Sequence, residues 1–256
     1  MADPDILIET DALTRRFRKC EALGSVSFRV RRGQVAALLG PNGSGKTTTL
    51  RILAAALAPS SGFARIAGLD VETHSLDVRR RIGYAPESTP LYPEMRVAEY
   101  LEFRGRIKGL RGQLLASRLR SALDRCGLAD VAGRLVGPLS LGYRRRVGLA
   151  DCFLAEPDVL LLDEPTAGLD PAQAAAVRSL LRDFGRCGAV LFSTHDLAEA
   201  ANLCDIAVVL NAGRLAAAAP PAELARSRGF SRFDEAYLQL TAPPTLVRNP
   251  NARPAV

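Results

Sequence analysis

Three hydrophobic rhythms run through the chain, and each predicts a different kind of element. Between residues 6 and 39 the apolar positions come in short, strand-like groups. Val26, Phe28 and Val30 alternate there with Ser27 and Arg29, the period of two that a half-buried strand shows. Val35–Leu39, Val159–Leu162 and Ala189–Phe192 are instead apolar without interruption. A strand with no polar face must be covered on both sides, so these runs predict a central parallel sheet. Where the spacing changes to three and four, helices are predicted. Leu50, Leu53, Ala54 and Leu57 form one stripe, stopped by Pro59 and Ser60-Ser61-Gly62. Val97, Tyr100, Leu101 and Arg104, then Leu114, Leu115, Leu119 and Leu123, predict helices from about Arg96 to Arg134. Ser140 is a plausible cap for a further helix through Val147, Leu149, Ala150 and Leu154, and Leu197, Ala200, Ala201 and Cys204 stripe another.

The remaining segments fill in the order. Residues 63–73 read as a strand pair turning at Gly68-Leu69-Asp70, and Arg81–Glu87 as a strand broken by Pro86. Asp170-Pro171 has the form of a helix cap and first residue. Ile206–Leu210 and Arg214–Ala218, joined through Asn211-Ala212-Gly213, predict a hairpin, and a short helix is expected over Phe233–Leu240. The proline-rich residues 241–256 have little to bury and are expected to form a disordered tail.

Composition changes this picture little. A chain of 256 residues with 48% hydrophobic and 24% charged residues can bury a full core. No apolar run reaches the length of a membrane span, and Met1-Ala2-Asp3-Pro4-Asp5 lacks the layout of a secretory signal, so a soluble, intracellular protein is expected. The five scattered cysteines include no C-x-x-C pair; most are expected to be small buried groups in a reducing compartment. The net charge of +7 could serve nucleic acid or an anionic membrane through Arg79-Arg80-Arg81 and Arg144-Arg145-Arg146. No aromatic residues interleave with those runs, which favours a solvated face or contacts to a nucleotide and acidic partners.

Candidate chemistry begins where the Val35–Leu39 strand ends. Gly40, Pro41, Asn42, Gly43, Ser44, Gly45, Lys46 and Thr47 match the phosphate-loop pattern G-x-x-x-x-G-K-[ST] at every fixed position, and Thr48 follows. Glycines let successive N–H groups point inward at an anion, and the helix behind them adds free N–H groups and a partial positive charge. Lys46 can reach the β- and γ-phosphates, and the Thr47 hydroxyl can ligate Mg²⁺. Asp163-Glu164 and His195 stand at the C-terminal ends of two predicted strands, the edge at which open α/β sheets bind ligands. Phe17, set among Arg15, Arg16, Arg18 and Lys19, could stack on a base.

With the loop, the Leu139–Tyr143 segment, Asp163-Glu164 and His195 in this order, residues 6–240 resemble the nucleotide-binding subunit of an ATP-binding cassette (ABC) transporter. Ile82-Gly83-Tyr84-Ala85-Pro86-Glu87, Leu91-Tyr92-Pro93-Glu94-Met95 and Leu139-Ser140-x-Gly142-Tyr143-Arg144 carry a narrower likeness to the ATPases of ABC-2-type exporters. The resemblance implies an α/β fold: a P-loop NTPase core with a mixed, mainly parallel sheet, an N-terminal antiparallel β subdomain and a helical subdomain inserted at about 95–155. One such domain would span residues 1–240. By the same likeness Phe17 would stack on adenine, and Gly40–Thr48 would hold the phosphates of ATP. Asp163, Thr47 and Glu87 would bind Mg²⁺, Glu164 would act as base or water-positioning group, and His195 would hydrogen-bond the γ-phosphate and the attacking water. Ser140 and Gly142 would grip ATP bound to a second subunit, and Gly168-Leu169-Asp170 would form the loop that meets it.

Leu141 and Tyr143 depart from the family's Leu-Ser-Gly-Gly-Gln signature, and Glu87 stands where the family has glutamine. A carboxylate at 87 brings negative charge near the phosphates, so metal affinity is expected to change. The implied function is an ATPase paired head to tail in a homodimer, lying on the cytoplasmic face of the membrane and driving a separate permease. Specific binding of nucleic acid is not expected. The rival reading is a soluble ABC ATPase acting on nucleic acid or a protein assembly; the net charge favours it. The single cassette, with no long coiled coil, weighs against it.

Overall fold

The computed structural model describes residues 3, 5–18 and 20–242. In chain order the strands are β1 (Ile6–Phe17), β2 (Cys20–Arg31), β3 (Val35–Leu39), β4 (Ser61–Ile66), β5 (Leu69–Asp70), β6 (Ile82–Ala85), β7 (Val159–Asp163), β8 (Ala189–Ser193), β9 (Ile206–Asn211) and β10 (Arg214–Ala219). The helices are α1 (Lys46–Leu53), α2 (Ser75–Arg81), α3 (Val97–Ile107), α4 (Gly112–Arg125), α5 (Leu141–Phe153), α6 (Pro171–Gly185), α7 (Leu197–Leu203), α8 (Pro221–Ser227) and α9 (Phe233–Thr241). An antiparallel sheet of order β2-β1-β4-β5 lies beside a six-stranded sheet of order β10-β9-β3-β8-β7-β6. In the larger sheet β9, β3, β8, β7 and β6 run parallel, and β10 pairs antiparallel on β9.

The unbroken apolar strands are explained by two cores, one on each face of the larger sheet. Val35, Ala37 and Leu39 of β3 face one core, while Ala36 and Leu38 face the other. β7 divides the same way, with Leu160 and Leu162 on the first side and Val159 and Leu161 on the second. Alternation of side chains therefore persists; only the polar face is missing. The first core takes in α3, α5 and α6 through Tyr100, Val147 and Val177, and the second takes in α1 and the antiparallel sheet through Leu50, Val26 and Ile66. Truncating Leu161, fully buried in β7, costs about 2–5 kcal/mol.

Helices α3, α4 and α5 interrupt the α/β body between β6 and β7, as the change of rhythm predicts. A part-buried ion cluster ties α3 to α5: Asp151 of α5, with its side chain 9% exposed, accepts from Arg104 Nε at 3.1 Å and Nη2 at 2.9 Å and lies 3.4 Å from Lys108 Nζ. The two arginine runs differ: Arg79, Arg80 and Arg81 are exposed, while Arg144, Arg145 and Arg146 are half-buried. Arg79, Arg80 and Arg81 bond Ala55 O, Asp77 and Asp158, and Arg144 and Arg146 bond the carbonyls of Gly137 and Gly127. Of these partners only Asp77, in the same helix as Arg80, and Asp158 are acidic; the others are backbone carbonyls.

Several expectations are corrected. The helix behind the phosphate loop stops at Leu53 rather than Leu57, because Ala54 caps it and Ala55 takes a left-handed φ of 53°. The β4–β5 turn is Ala67-Gly68, with Leu69-Asp70 already in the returning strand. α2 was hidden by its composition: only Val78 is buried, and its last turn is the Arg79–Arg81 run, which suits the negative helix end. α8 was likewise not anticipated. Of the cysteines, Cys126 and Cys152 are buried, but Cys20 and Cys187 are exposed. Burial pushes both buried thiols up to about 12, which leaves them unreactive. Thr241 closes α9 and so does not belong to the expected tail, and residues 243–256 of that tail lie outside the described residues.

Candidate active site

The phosphate loop leaves β3 with a backbone that side chains could not follow. Gly40 has φ 151°, and a Cβ there would meet Leu210 O at 2.3 Å; Gly45 has φ 103°, and a Cβ would meet Leu23 Cδ2 at 2.4 Å. Helix α1 then starts at Lys46 with no side-chain cap and no acidic residue in its first turn. Its first N–H groups are therefore free for an anion. Ser44 is 2% exposed and its Oγ is buried without a hydrogen-bond partner among the described residues. Lys46 Nζ folds back on the loop, donating to Gly40 O at 2.7 Å and Pro41 O at 3.1 Å. Burial lowers its pKa, and the charges of Glu164 and Asp163 oppose that shift.

The strand ends supply the other wall. Asp163 closes β7 at 4% exposure, and its Oδ1 accepts from Ser193 Oγ at 2.5 Å. The same hydroxyl accepts from the Glu164 N–H at 2.9 Å, so Ser193 of β8 orients both acidic positions. Glu164 is held at a left-handed φ of 50°, and its Oε2 lies 2.9 Å from His195 Nδ1. The carboxylate is 15% exposed and the imidazole 75%, so the pair opens outward.

A cavity of about 520 Å³ joins the two walls. Asn42, Gly43, Gly45, Lys46, Thr47 and Thr48 line it from the loop, and Glu87, Asp163, Glu164 and His195 line it from the strand ends. Among the described residues no group of three or more His, Cys, Asp and Glu side chains could hold a metal unaided. Thr47, Asp163 and Glu87 still fit Mg²⁺, which takes one or two carboxylates and completes its shell with phosphate oxygens and water.

Gly40, Pro41 and Ser44 of the loop do not line the cavity, and three further predicted residues lie outside both walls altogether. Phe17 ends β1, is 42% exposed, and carries the Arg15 guanidinium 4.6 Å above its ring; Ala22 of β2 lines the cavity instead. Ser140 caps α5, accepting from Tyr143 N–H at 3.4 Å, and Gly142 lies against the Gln173 side chain. Neither Ser140 nor Gly142 lines the cavity of its own chain. A second cavity of about 690 Å³ adjoins the first through Glu87 and is lined by Leu141, Arg144 and Arg145. Arg145 donates to the Glu87 carbonyl, and its Nε is buried without a partner. The sequence reading missed Ser193 and Arg145. The signal for Ser193 was a hydroxyl ending an otherwise apolar strand; Arg145 was noticed only as charge.

A family model described as "ABC transporter" matches residues 23–167, and one described as "AAA domain, putative AbiEii toxin, Type IV TA system" matches residues 137–201. The chain is 39% identical over 209 residues to the uncharacterized ABC transporter ATP-binding protein YxlF of Bacillus subtilis, covering 82% of this chain and 69% of YxlF. It is 37% identical over 219 residues to the Nod factor export ATP-binding protein I of Ralstonia nicotianae, covering 85% and 68%. It is also 37% identical over 227 residues to the daunorubicin/doxorubicin resistance ATP-binding protein DrrA of Streptomyces peucetius, covering 88% and 69%. A solved ATP-binding subunit of an ABC transporter superposes with a TM-score of 0.83 at 31% identity, covering 91% of this chain and 99% of that one.

Proposed function

The chain belongs to the ABC transporter family as an ATP-binding, ATP-hydrolysing subunit, and from that premise we propose how its residues divide the work. The N–H groups of Gly40–Thr48 and the Lys46 ammonium hold the phosphates of ATP, Lys46 exchanging the loop carbonyls for phosphate oxygens. Thr47 and Asp163, with Glu87, hold Mg²⁺, which when bound offsets the charge of the β- and γ-phosphates. Glu164 takes up or orients the proton of the attacking water, and His195 holds the γ-phosphate and that water in line. Residues 1–240 act as one ATP-binding domain around the helical insert at about 95–155.

The observation that carries this reading is the Glu164–His195 contact of 2.9 Å, which opens into the same cavity as Lys46 and Thr47. Ser140 and Gly142 point to a partner, since they lie off the cavity of their own chain. They serve the nucleotide of a second copy, which makes the working unit a head-to-tail homodimer. Phe17 stacks on the adenine of the bound nucleotide.

Among the described residues no helix is long and apolar enough to cross a membrane, and the permease we propose is a separate chain, as supported by a solved relative, 28% identical, that is part of an ABC transporter complex. The subunit then works at the cytoplasmic face of the membrane, and the Nod factor export and daunorubicin resistance relatives support export as the direction. Purification of the tagged chain from detergent-solubilised native membranes, with mass spectrometry of what stays bound, tests this. A multi-span permease at stoichiometric amount is expected; soluble partners alone would overturn the transporter assignment.

A further inference from the structure

The stripe of α7 holds a residue that hydrophobic periodicity did not select. Ala201 is exposed, and Glu199 is 3% exposed among Ala200 and Leu203 on the buried face. A carboxylate in a core position needs hydrogen-bond donors, and here they come from two distant segments. Glu199 Oε2 accepts from Thr194 Oγ1 at 2.9 Å and from Thr166 Oγ1 at 3.0 Å. Thr194 directly precedes His195, and Thr166 follows Glu164 by two residues. The other oxygen, Oε1, is buried without a hydrogen-bond partner, with Arg178 Nη1 of α6 at 4.0 Å.

The surrounding bonds make this cross-tie rigid. Asp196 caps α7 by accepting from the N–H groups of Ala198 and Glu199 at 2.9 and 3.0 Å, which fixes where the Glu199 side chain starts. Thr194 Oγ1 also accepts from Asp196 N–H at 3.1 Å, so its hydrogen must point at Glu199. The backbones on both sides of the Glu164–His195 contact are thus fastened to one carboxylate oxygen.

We propose that Glu199 is a positioning residue that holds Glu164 and His195 at their working separation by drawing Thr166 and Thr194 to a single acceptor. The kinetic part of this inference rests on the catalytic reading of that pair; the geometric part does not. Because Oε1 has no hydrogen-bond donor, Gln at 199 can present its one carbonyl oxygen to both hydroxyls, whereas Ala can present none. Glu199→Ala is expected to lower kcat for ATP about 10- to 100-fold, the range that loss of hydrogen bonds to a charged group corresponds to, with KM within about twofold. Glu199→Gln is expected to stay within about threefold of wild type, since both hydroxyl contacts survive.

The test pairs steady-state ATPase assays of the full chain with NMR of its imidazole resonances. The chain has two histidines, so the His195 signal is identified against His74 by its loss in His195→Ala. The expected result is a shifted His195 resonance in Glu199→Ala, an unmoved His74 resonance, and recovery of both signal and kcat in Glu199→Gln. Thr166→Val is the second variant, milder for folding. Thr166 sits two residues from Glu164, which itself contacts His195, so the route is read from a double variant: a His195 shift in Thr166→Val that is absent when Glu199→Ala is already in place passes through Glu199. An unmoved His195 resonance in both Glu199→Ala and Thr166→Val would overturn the inference, as would a Glu199→Gln variant as defective as Ala. A moved resonance with turnover intact in both Glu164→Gln and His195→Ala would uphold the positioning role and overturn the catalytic reading instead.

Discussion

The two walls of the nucleotide cavity are built in opposite ways. The phosphate-loop wall comes from one short segment, with Asn42, Gly43 and Gly45 to Thr48 lining the cavity, and works largely through backbone N–H groups that glycine conformations aim inward. The strand-end wall is assembled from side chains on β7, β8 and the segment after β6, with partners such as Asp163 and Ser193 separated by 30 residues. A contiguous backbone site binds charge; a dispersed side-chain site can place one proton acceptor against one proton. The first wall should therefore govern affinity and the second turnover.

The largest effect should come from breaking the second wall without touching the first. Glu164→Gln keeps shape and removes the proposed proton acceptor, so turnover should fall about 10²- to 10⁴-fold, the usual worth of general-base catalysis. ATP affinity should change by no more than about threefold, because the phosphate contacts of Lys46 and the loop remain. Phosphate release and fluorescent-nucleotide titration separate the two. Undiminished hydrolysis would remove Glu164 from its assigned role. The converse variant, Lys46→Ala, should weaken ATP binding about 10- to 100-fold through loss of charge-assisted hydrogen bonds to phosphate. If Lys46→Ala bound ATP normally, the division of labour between the walls would fail.

The same contrast explains what was legible in the sequence. Gly40–Thr48 could be read because its chemistry and its spacing lie in one short window. Asp163, Glu164 and His195 were legible because they end apolar runs, and a strand end in a parallel sheet is a definite place. Ser193 and Glu199 were not. Each acts through a partner about 30 residues away, so nothing in its own neighbourhood marks it. Helix α7 also misled because a hydroxyl-satisfied glutamate took a core position that the pattern gave to Ala201. α2 escaped because a helix burying only Val78 has almost no apolar period to detect.

Ser193 offers a way to loosen the second wall while leaving its acidic groups in place. Ser193→Ala strips Asp163 of a 2.5 Å hydrogen bond and leaves the Glu164 N–H without its acceptor. Losing such buried partners costs about 1–3 kcal/mol, to be read as a lowered midpoint in urea unfolding. Turnover should fall with it, since the left-handed φ of 50° at Glu164 loses one of its restraints. A variant with wild-type stability and rate would mean that the strand ends hold the acidic pair without help from β8.

The smallest expected effect tests where the walls meet the helical insert. Glu87 borders both cavities, and Arg145 of α5 donates to its carbonyl while facing Asp163 across a narrow cleft. Burial lowers the Arg145 pKa, opposed by the charges of Glu87, Glu164 and Asp163; its basicity still leaves it cationic at neutral pH. A cation facing the carboxylates proposed to hold Mg²⁺ should oppose its binding, and the Glu87 carboxylate should favour it. Glu87→Gln is therefore expected to raise the Mg²⁺ concentration for half-maximal ATPase, and Arg145→Gln to lower it. Each shift should be no more than about fivefold, because a partly solvent-screened charge contributes about 1 kcal/mol at most. The double variant should return to within about twofold of wild type if the two charges act on the same ion, as neighbouring groups that share a site compensate each other. Shifts of the same sign from both single variants would show instead that Arg145 acts by holding the Glu87 backbone, and the insert would then reach the metal through geometry and not through charge.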